Sequence, residues 1–338
     1  VAREWSYWTR NKLQILADYL PAFNSASQRK SSHRIYLDLM AGVPDNIERY
    51  TDIEFDGSPV VALKSNPGFT VLRFGELPPK AAKLDAALKQ RFPGDNRFRV
   101  VEGDCNQTID TVLSELGDLR WAPTFAFLDQ QAAEIHWATI QKLARFRQNS
   151  KGLKAELWLL MSPAMIIRGV YGTNKEEFQQ SVSNLYGGDD WLRIKRALEA
   201  GTIASDQFRE EMVNLMRYQL ETQLGYRFTH RIPMKMSTNM AIFDMVFATD
   251  HYVGDRIMSH LYNLAAWREP EMMRQAQRAK AEKEAEEAGL NPLFGVDELG
   301  VQPSDNLGQV LWQPEATWNP ASRPWWDDPG GSFNLLQS

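Results

Sequence analysis

Short apolar runs alternate with longer stretches of helical spacing through the first half of the chain. Five runs, at residues 35–40, 70–74, 98–101, 125–128 and 156–161, are apolar almost throughout and not merely at every second position. That is the pattern of strands covered on both faces. Between them, residues 57–66, 79–92, 107–119 and 136–148 carry apolar side chains at the spacing of one helix face. Strand and helix in alternation predict a parallel sheet with helices packed on both sides.

The pattern changes after Met161. Residues 163–224 hold no strand-like run, and "NKEEFQQSVSNLY", "DDWLRIKRALEAG" and "SDQFREEMVNLMRYQLETQLG" read as helices. Ser205 and Asp206 give the last of these a start signal and Gly225 a stop. Two β-rich runs follow, 226–236 and 240–250, and the short "STN" between them predicts an antiparallel hairpin. The expected fold class is therefore α/β, a doubly wound Rossmann-like sheet of five parallel strands plus a C-terminal antiparallel hairpin. That is the strand inventory of a class I methyltransferase sheet, here with a helical insert.

In domain terms, residues 1–162 and 225–264 form the sheet domain, 163–224 an insert or lid, and 265–338 a C-terminal extension. The extension opens with a charged stretch, 265–290, that reads as a solvent-exposed helix held by pairs of opposite charge one turn apart. Beyond it the chain is rich in Pro, Gly and Asn yet carries Trp312, Trp318, Trp325 and Trp326. So many tryptophans predict a segment that either wraps back over the body or meets a protein partner.

Composition narrows the function. A net charge of −5 lacks the basic footprint of a protein living on nucleic acid. The most basic local stretch, "SASQRKSSHR" at 25–34, reads as a solvated linker. No apolar stretch approaches the roughly 18 residues that span a bilayer, and "VAREWSYWTR" lacks a secretion signal's apolar region. One cysteine excludes an internal disulfide framework and makes a reducing cytoplasm the expected compartment. His, Asp and Glu show no metal-ligand spacing, so no metal is expected.

The candidate chemistry lies where the strands end, because open α/β sheets bind ligands beyond their carboxyl ends. The first run ends in Asp38 and is followed by Ala41 and Gly42, small residues that let the backbone approach a ligand closely. The second leads to Glu76, able to accept from both hydroxyls of a ribose; the third leads to Asp104 and Cys105, placed for an adenine; the fourth ends in Asp129. Four acids in succession suit the sulfonium and ammonium groups of S-adenosyl-L-methionine and would repel a pyrophosphate. Neither G-x-G-x-x-G nor G-x-x-x-x-G-K-[ST] occurs, which weakens both phosphate-binding readings. On the first helix, Lys12 is placed to pair with the cofactor's carboxylate. His136 is placed for a general base or for a helix cap, and Gln130 can accept hydrogen bonds from a methyl acceptor. His251, in "ATDHYVGD", either faces the cleft or makes a structural hydrogen bond.

"YWTRNKLQILADYLPAF", "YLDLMAGVP", "DGSPVVAL", "VVEGDCNQTI", "FAFLD", "HWATIQKLA", "SPAMIIRGVYG" and "FATDHYVGDRIM" occur in this order over about residues 7–262. In them the chain resembles the bacterial three-Cys-motif partner family (TcmP), which has a methyltransferase-like fold. The resemblance implies that Asp38, Ala41 and Gly42 form the methionine-side loop and that Glu76 holds the ribose. It also implies that Asp104 and Cys105 flank the adenine and that Asp129 faces the transferable methyl. Two departures stand out. "AGVPDN" lacks a second glycine near Pro44, and "FLD" is followed by Gln130, Gln131 and Ala132 where the family tends to have Pro, an aromatic and Gly. The second departure removes the aromatic that would stack a base. Three functions therefore stay open: a methyltransferase of unknown acceptor, a non-catalytic interaction protein on the same fold, and a nucleic-acid methyltransferase.

Overall fold

A computed structural model of the 338-residue chain describes residues 3–235 and 241–288. The parallel strands are β2 (Ile35–Asp38), β5 (Val71–Glu76), β6 (Phe98–Glu102), β7 (Thr124–Leu128) and β8 (Glu156–Met161). With the antiparallel pair β9 (Phe228–Lys235) and β10 (Ala241–Thr249) they form one sheet in the order β6-β5-β2-β7-β8-β10-β9. This is the strand order of a class I methyltransferase sheet, doubly wound about β2. The expected "STN" turn of the hairpin falls in 236–240, outside the described residues.

Side-chain alternation divides the molecule into two cores. Ile35, Leu37, Ala126, Leu128, Leu157 and Leu159 face one way, against α4 (Cys105–Glu115), α5 (Trp137–Phe146) and the helical insert. Tyr36, Leu72, Phe74, Phe125, Phe127 and Trp158 face the other way. There they meet α1 (Tyr7–Gln28), α2 (Ser58–Lys64), α3 (Lys80–Arg91) and α10 (Tyr252–Glu287). Both faces are buried, which is why the strands read as continuous apolar runs.

The insert comprises α6 (Pro163–Val170), α7 (Lys175–Tyr186), α8 (Trp191–Glu199) and α9 (Ser205–Thr222). Its last three helices match the sequence expectation; α6 had given no separate signal. The insert is fastened to the sheet by charge: Arg209 on α9 donates to Asp244 on β10 at 2.5 Å, and Arg231 on β9 lies 3.7 Å from the same carboxylate. Asp244 has no solvent exposure.

Two segments depart from the sequence pattern. Residues 43–56, which carry none of the apolar runs, are the first. They fold into the hairpin β3 (Asp45–Glu48) and β4 (Glu54–Asp56), and β1 (Arg3–Trp5) adds to it in parallel. Arg91 fixes this hairpin through Asp45 and Asp56. Its exit is tight: a Cβ at Gly57 would lie 2.0 Å from the Val43 carbonyl oxygen. Gly57→Ala must therefore move backbone, and we expect a loss of roughly 1–3 kcal/mol in urea unfolding.

The second is the charged stretch from residue 265, which is not a separate exposed helix; α10 runs unbroken through it from Tyr252 to Glu287. Met272, Met273 and Ala276 are buried against Tyr7 and Trp8, and only beyond them does the helix turn mostly to solvent. Three small or flexible apolar residues among many charges gave too weak a stripe to read. The Trp-rich segment lies outside the described residues.

Candidate functional site

Period-two alternation carries three acids onto one face of the sheet. Tyr36 and then Asp38, Leu72, Phe74 and then Glu76, Phe125, Phe127 and then Asp129 continue the series facing α1 and α2. Each strand thus ends its inward apolar row with a carboxylate at the same rim.

Asp38 is the deepest, with no solvent exposure. The Ser58 hydroxyl donates to it at 2.6 Å, the Met40 amide at 3.3 Å and the Tyr36 hydroxyl at 3.4 Å. Burial pushes its carboxyl up to about 7; the Ser58 bond opposes the rise, and the Asp129 and Glu76 carboxylates add to it. Asp129 and Glu76 are therefore both near enough to act on Asp38. Ser58, at the start of α2, was not singled out from sequence, although it sits in the quoted "DGSPVVAL".

Glu76 holds the loop after β2. Its carboxylate accepts from the Gly42 amide at 2.8 Å and the Leu77 amide at 2.9 Å. Gly42 has a φ of +69°, in the left-handed region, with open space where a side chain would stand. Ala41 is buried and its amide bonds to the Gly75 carbonyl at 2.9 Å. The expected small-residue approach is thus built into the backbone.

Lys12 and Asp129 meet each other. The Lys12 ammonium donates to both Asp129 oxygens at 2.6 Å, and its side chain is 7% exposed against 26% for Asp129. The lysine expected to wait for a cofactor carboxylate is instead paired within the chain.

Gln130 turns away from the cleft. It is 1% exposed, its amide nitrogen donates to the Leu160 carbonyl at 3.1 Å, and its oxygen accepts from the Ile135 amide at 3.2 Å. It braces the turn after β7 and is not offered to an acceptor. Asp104 caps α4, accepting from the Asn106 amide at 2.7 Å. Cys105 packs into the core beneath, where burial, with Asp104 adding, pushes its thiol up to about 12; it has no thiolate character at neutral pH.

Sequence reasoning passed over Asn106, which ties the two loops together. Its side chain donates to the Glu134 carbonyl and accepts from the His136 amide and the Thr139 hydroxyl, all at 2.8–2.9 Å. His136 begins α5 and lines a groove of about 510 Å³ with Trp137, Asn184, Gly187 and Asp189, between α5 and α7. His251 stands at the opposite edge of the sheet, where its ring accepts from the Val253 amide at 3.1 Å and caps α10. Of its two expected roles, only the structural one survives.

The residues fit a cationic ligand. Three carboxylates and one lysine gather at one rim of the sheet, open space stands over Gly42, and Ser162, buried at the end of β8, has no hydroxyl partner among the described residues. Strand order and acid rim together define a doubly wound α/β protein with a methyltransferase-like fold. No protein-family model and no curated protein matches the chain. Among solved structures it is similar to a Staphylococcus aureus protein provisionally assigned as a caffeoyl-CoA O-methyltransferase, at 11% identity and TM-score 0.34, over 69% of this chain and 82% of that one. It is similar also to a provisionally assigned methyltransferase from Thermobifida fusca, at 10% identity and TM-score 0.36, over 72% and 81%. A third is a provisionally assigned hemolysin from Streptococcus thermophilus, at 15% identity and TM-score 0.33, over 79% and 75%. At such scores these likenesses carry no argument, and the fold rests on the strand order itself. No helix among the described residues is long and apolar enough to cross a membrane.

Proposed function

We propose that the C-terminal edge of the sheet binds S-adenosyl-L-methionine and that the protein is a methyltransferase. The observation that carries this reading is the convergence of Asp38, Glu76 and Asp129 on one rim of the sheet, with Asp38 pushed up to about 7. Burial does most of this, with Asp129 and Glu76 adding repulsion, and a ligand bearing positive charge would offset both. The resemblance of residues 7–262 to the three-Cys-motif partner family points the same way, and with it to a bacterial, cytoplasmic setting.

In this reading Asp38, Ala41 and Gly42 hold the methionine side. Glu76 holds the ribose with the lone pairs left after its two amide bonds. Asp104 receives the adenine, and Cys105 supplies only packing beneath it. The cofactor supplies a methyl group on a positively charged sulfur. Lys12 would pair with the cofactor carboxylate, and Asp129, freed of Lys12, would orient or deprotonate the acceptor. His136 lines a groove between α5 and α7 whose walls include none of the three acids. Positioning carries most of the rate, since orientation contributes on the order of 7–11 kcal/mol.

A second reading, an interaction protein that keeps the fold without catalysis, is favoured by the Lys12–Asp129 pair and by the buried Gln130 amide. Calorimetry with S-adenosylmethionine separates them. We expect saturable binding that weakens by about tenfold or more in Glu76→Ala, a loss of about 1.4 kcal/mol or more. Absence of heat at millimolar cofactor would leave the second reading.

A further inference from the structure

A second cavity lies at the opposite, amino-terminal edge of the sheet. It encloses about 230 Å³ between the end of α1, the turn after α5 and the start of α10. We propose that it is a binding site for a small organic oxyanion, a phosphate or carboxylate on a compact apolar body.

Charge is the first argument. Lys30, Arg147 and Lys151 line the cavity, and none has a side-chain ion-pair or hydrogen-bond partner among the described residues. The Arg147 Nε is buried without an acceptor. An unpaired buried guanidinium nitrogen is costly, and an oxyanion supplies what it lacks. Glu156 and Asp250 act on Arg147 electrostatically, but neither makes an ion pair with it. Glu156 lines the cavity with its carboxylate accepting from Tyr19 at 2.5 Å and from Thr249 at 2.8 Å; burial pushes its pKa up, and the Arg147 charge opposes the rise. Asp250 is taken by Lys154 at 2.9 Å. The three cations also act together on His251, whose imidazole is pulled below its usual range by burial and then by Lys30, Arg147 and Lys151.

Position and lining are the second argument. His251 and Val253 bring the amino terminus of the long helix α10 to the cavity, where the backbone dipole favours negative charge. The rest of the wall is Phe23, Trp121, Pro123, Leu153 and Ile257, which fits an apolar body and not a bare ion. The volume suits a single ring or short chain, smaller than the ligands of typical cofactor sites. The stretch 25–34, which read from sequence as a solvated linker, supplies Ser27, Lys30 and Ser31 to this wall. The site is separate from the acid rim, so its test does not depend on methyl transfer.

Phenyl phosphate, benzoate and inorganic phosphate are the probes, followed by calorimetry and by the His251 imidazole resonance in the full chain. We expect saturable binding of phenyl phosphate or benzoate, a shift of His251, and inorganic phosphate weaker by about tenfold. Lys30→Gln with Lys151→Gln removes two exposed cations without touching the core and should weaken binding about tenfold; Arg147→Gln should do the same. No saturable binding of either aromatic probe at millimolar concentration, or equal binding in the Lys30/Lys151 variant, overturns the proposal. Inorganic phosphate binding as tightly as phenyl phosphate overturns the apolar part of it.

Discussion

Asp38→Asn should make the protein more stable above pH 7 while abolishing cofactor binding. The Asp38 carboxyl is pushed from an ordinary value near 4 up to about 7 by complete burial. The folded state therefore holds a proton that the unfolded chain releases. The stability this represents is fully present below about pH 4 and is lost as pH rises through about 7. At roughly 1.4 kcal/mol per unit, the ceiling on the loss is on the order of 4 kcal/mol. Asparagine stays neutral and keeps an oxygen for the Ser58 hydroxyl, so much of that loss is recovered in the variant. Glu211 and Glu269 are also pushed up to about 7 by burial and impose the same direction of slope on both proteins. The difference between wild type and variant isolates Asp38. Urea unfolding at about pH 4, 5.5 and 8 measures it, and parallel stability profiles for the two proteins would refute the assignment. Loss of S-adenosylmethionine binding in the same variant would show that the burial of this charge serves a ligand and not the fold.

Asp244→Ala should be the most destabilising charge substitution where the insert meets the sheet, by about 3–5 kcal/mol. The carboxylate is fully buried and receives Arg209 from α9, with Arg231 close by on β9. Removing it takes from two guanidinium groups, packed between the insert and the sheet, their buried counter-charge and leaves the more exposed Glu210 carboxylate, 3.9 Å from Arg209 and 3.6 Å from Arg231. Asp244→Asn should recover only a part, because the hydrogen bond survives and the charge does not. Hydrogen exchange should then show the amides of α9 opening at lower free energy than those of β7 and β8. Uniform loss of protection across the sheet would mean that the pair holds the whole fold and not the insert.

The Lys12–Asp129 ion pair bears on both readings of the function. As it stands, it occupies the carboxylate best placed to act on an acceptor and the lysine best placed to hold a cofactor. A bound cofactor with its own carboxylate and cation offers each of them a second partner, so exchange requires no net loss of ion pairs. A protein without catalysis would simply keep the pair as a strut between α1 and the sheet.

The sequence by itself determined the element order. Each of the five parallel strands appears within a few residues of its apolar run, and three of the four insert helices appear where one-face spacing placed them. It also determined that acids stand at the strand ends, since an aspartate or glutamate closing an apolar run needs no tertiary information to be seen. Strand order, and with it the distances among those acids, came only from the tertiary structure. That Asp38, Glu76 and Asp129 share one rim of the sheet depends on β5 and β7 flanking β2, a pairing between segments dozens of residues apart. The local pattern could not show that Lys12 would meet Asp129, that Gln130 would be spent on backbone, or that Asn106 would join two loops. Polar side chains carry no periodic signal, and their roles are fixed by whichever partners the packed fold brings within hydrogen-bond reach. The same holds for the basic cavity: Lys30 lies far along the chain from Arg147 and Lys151, and only the return of α1, α5 and α10 to one edge of the sheet makes them neighbours.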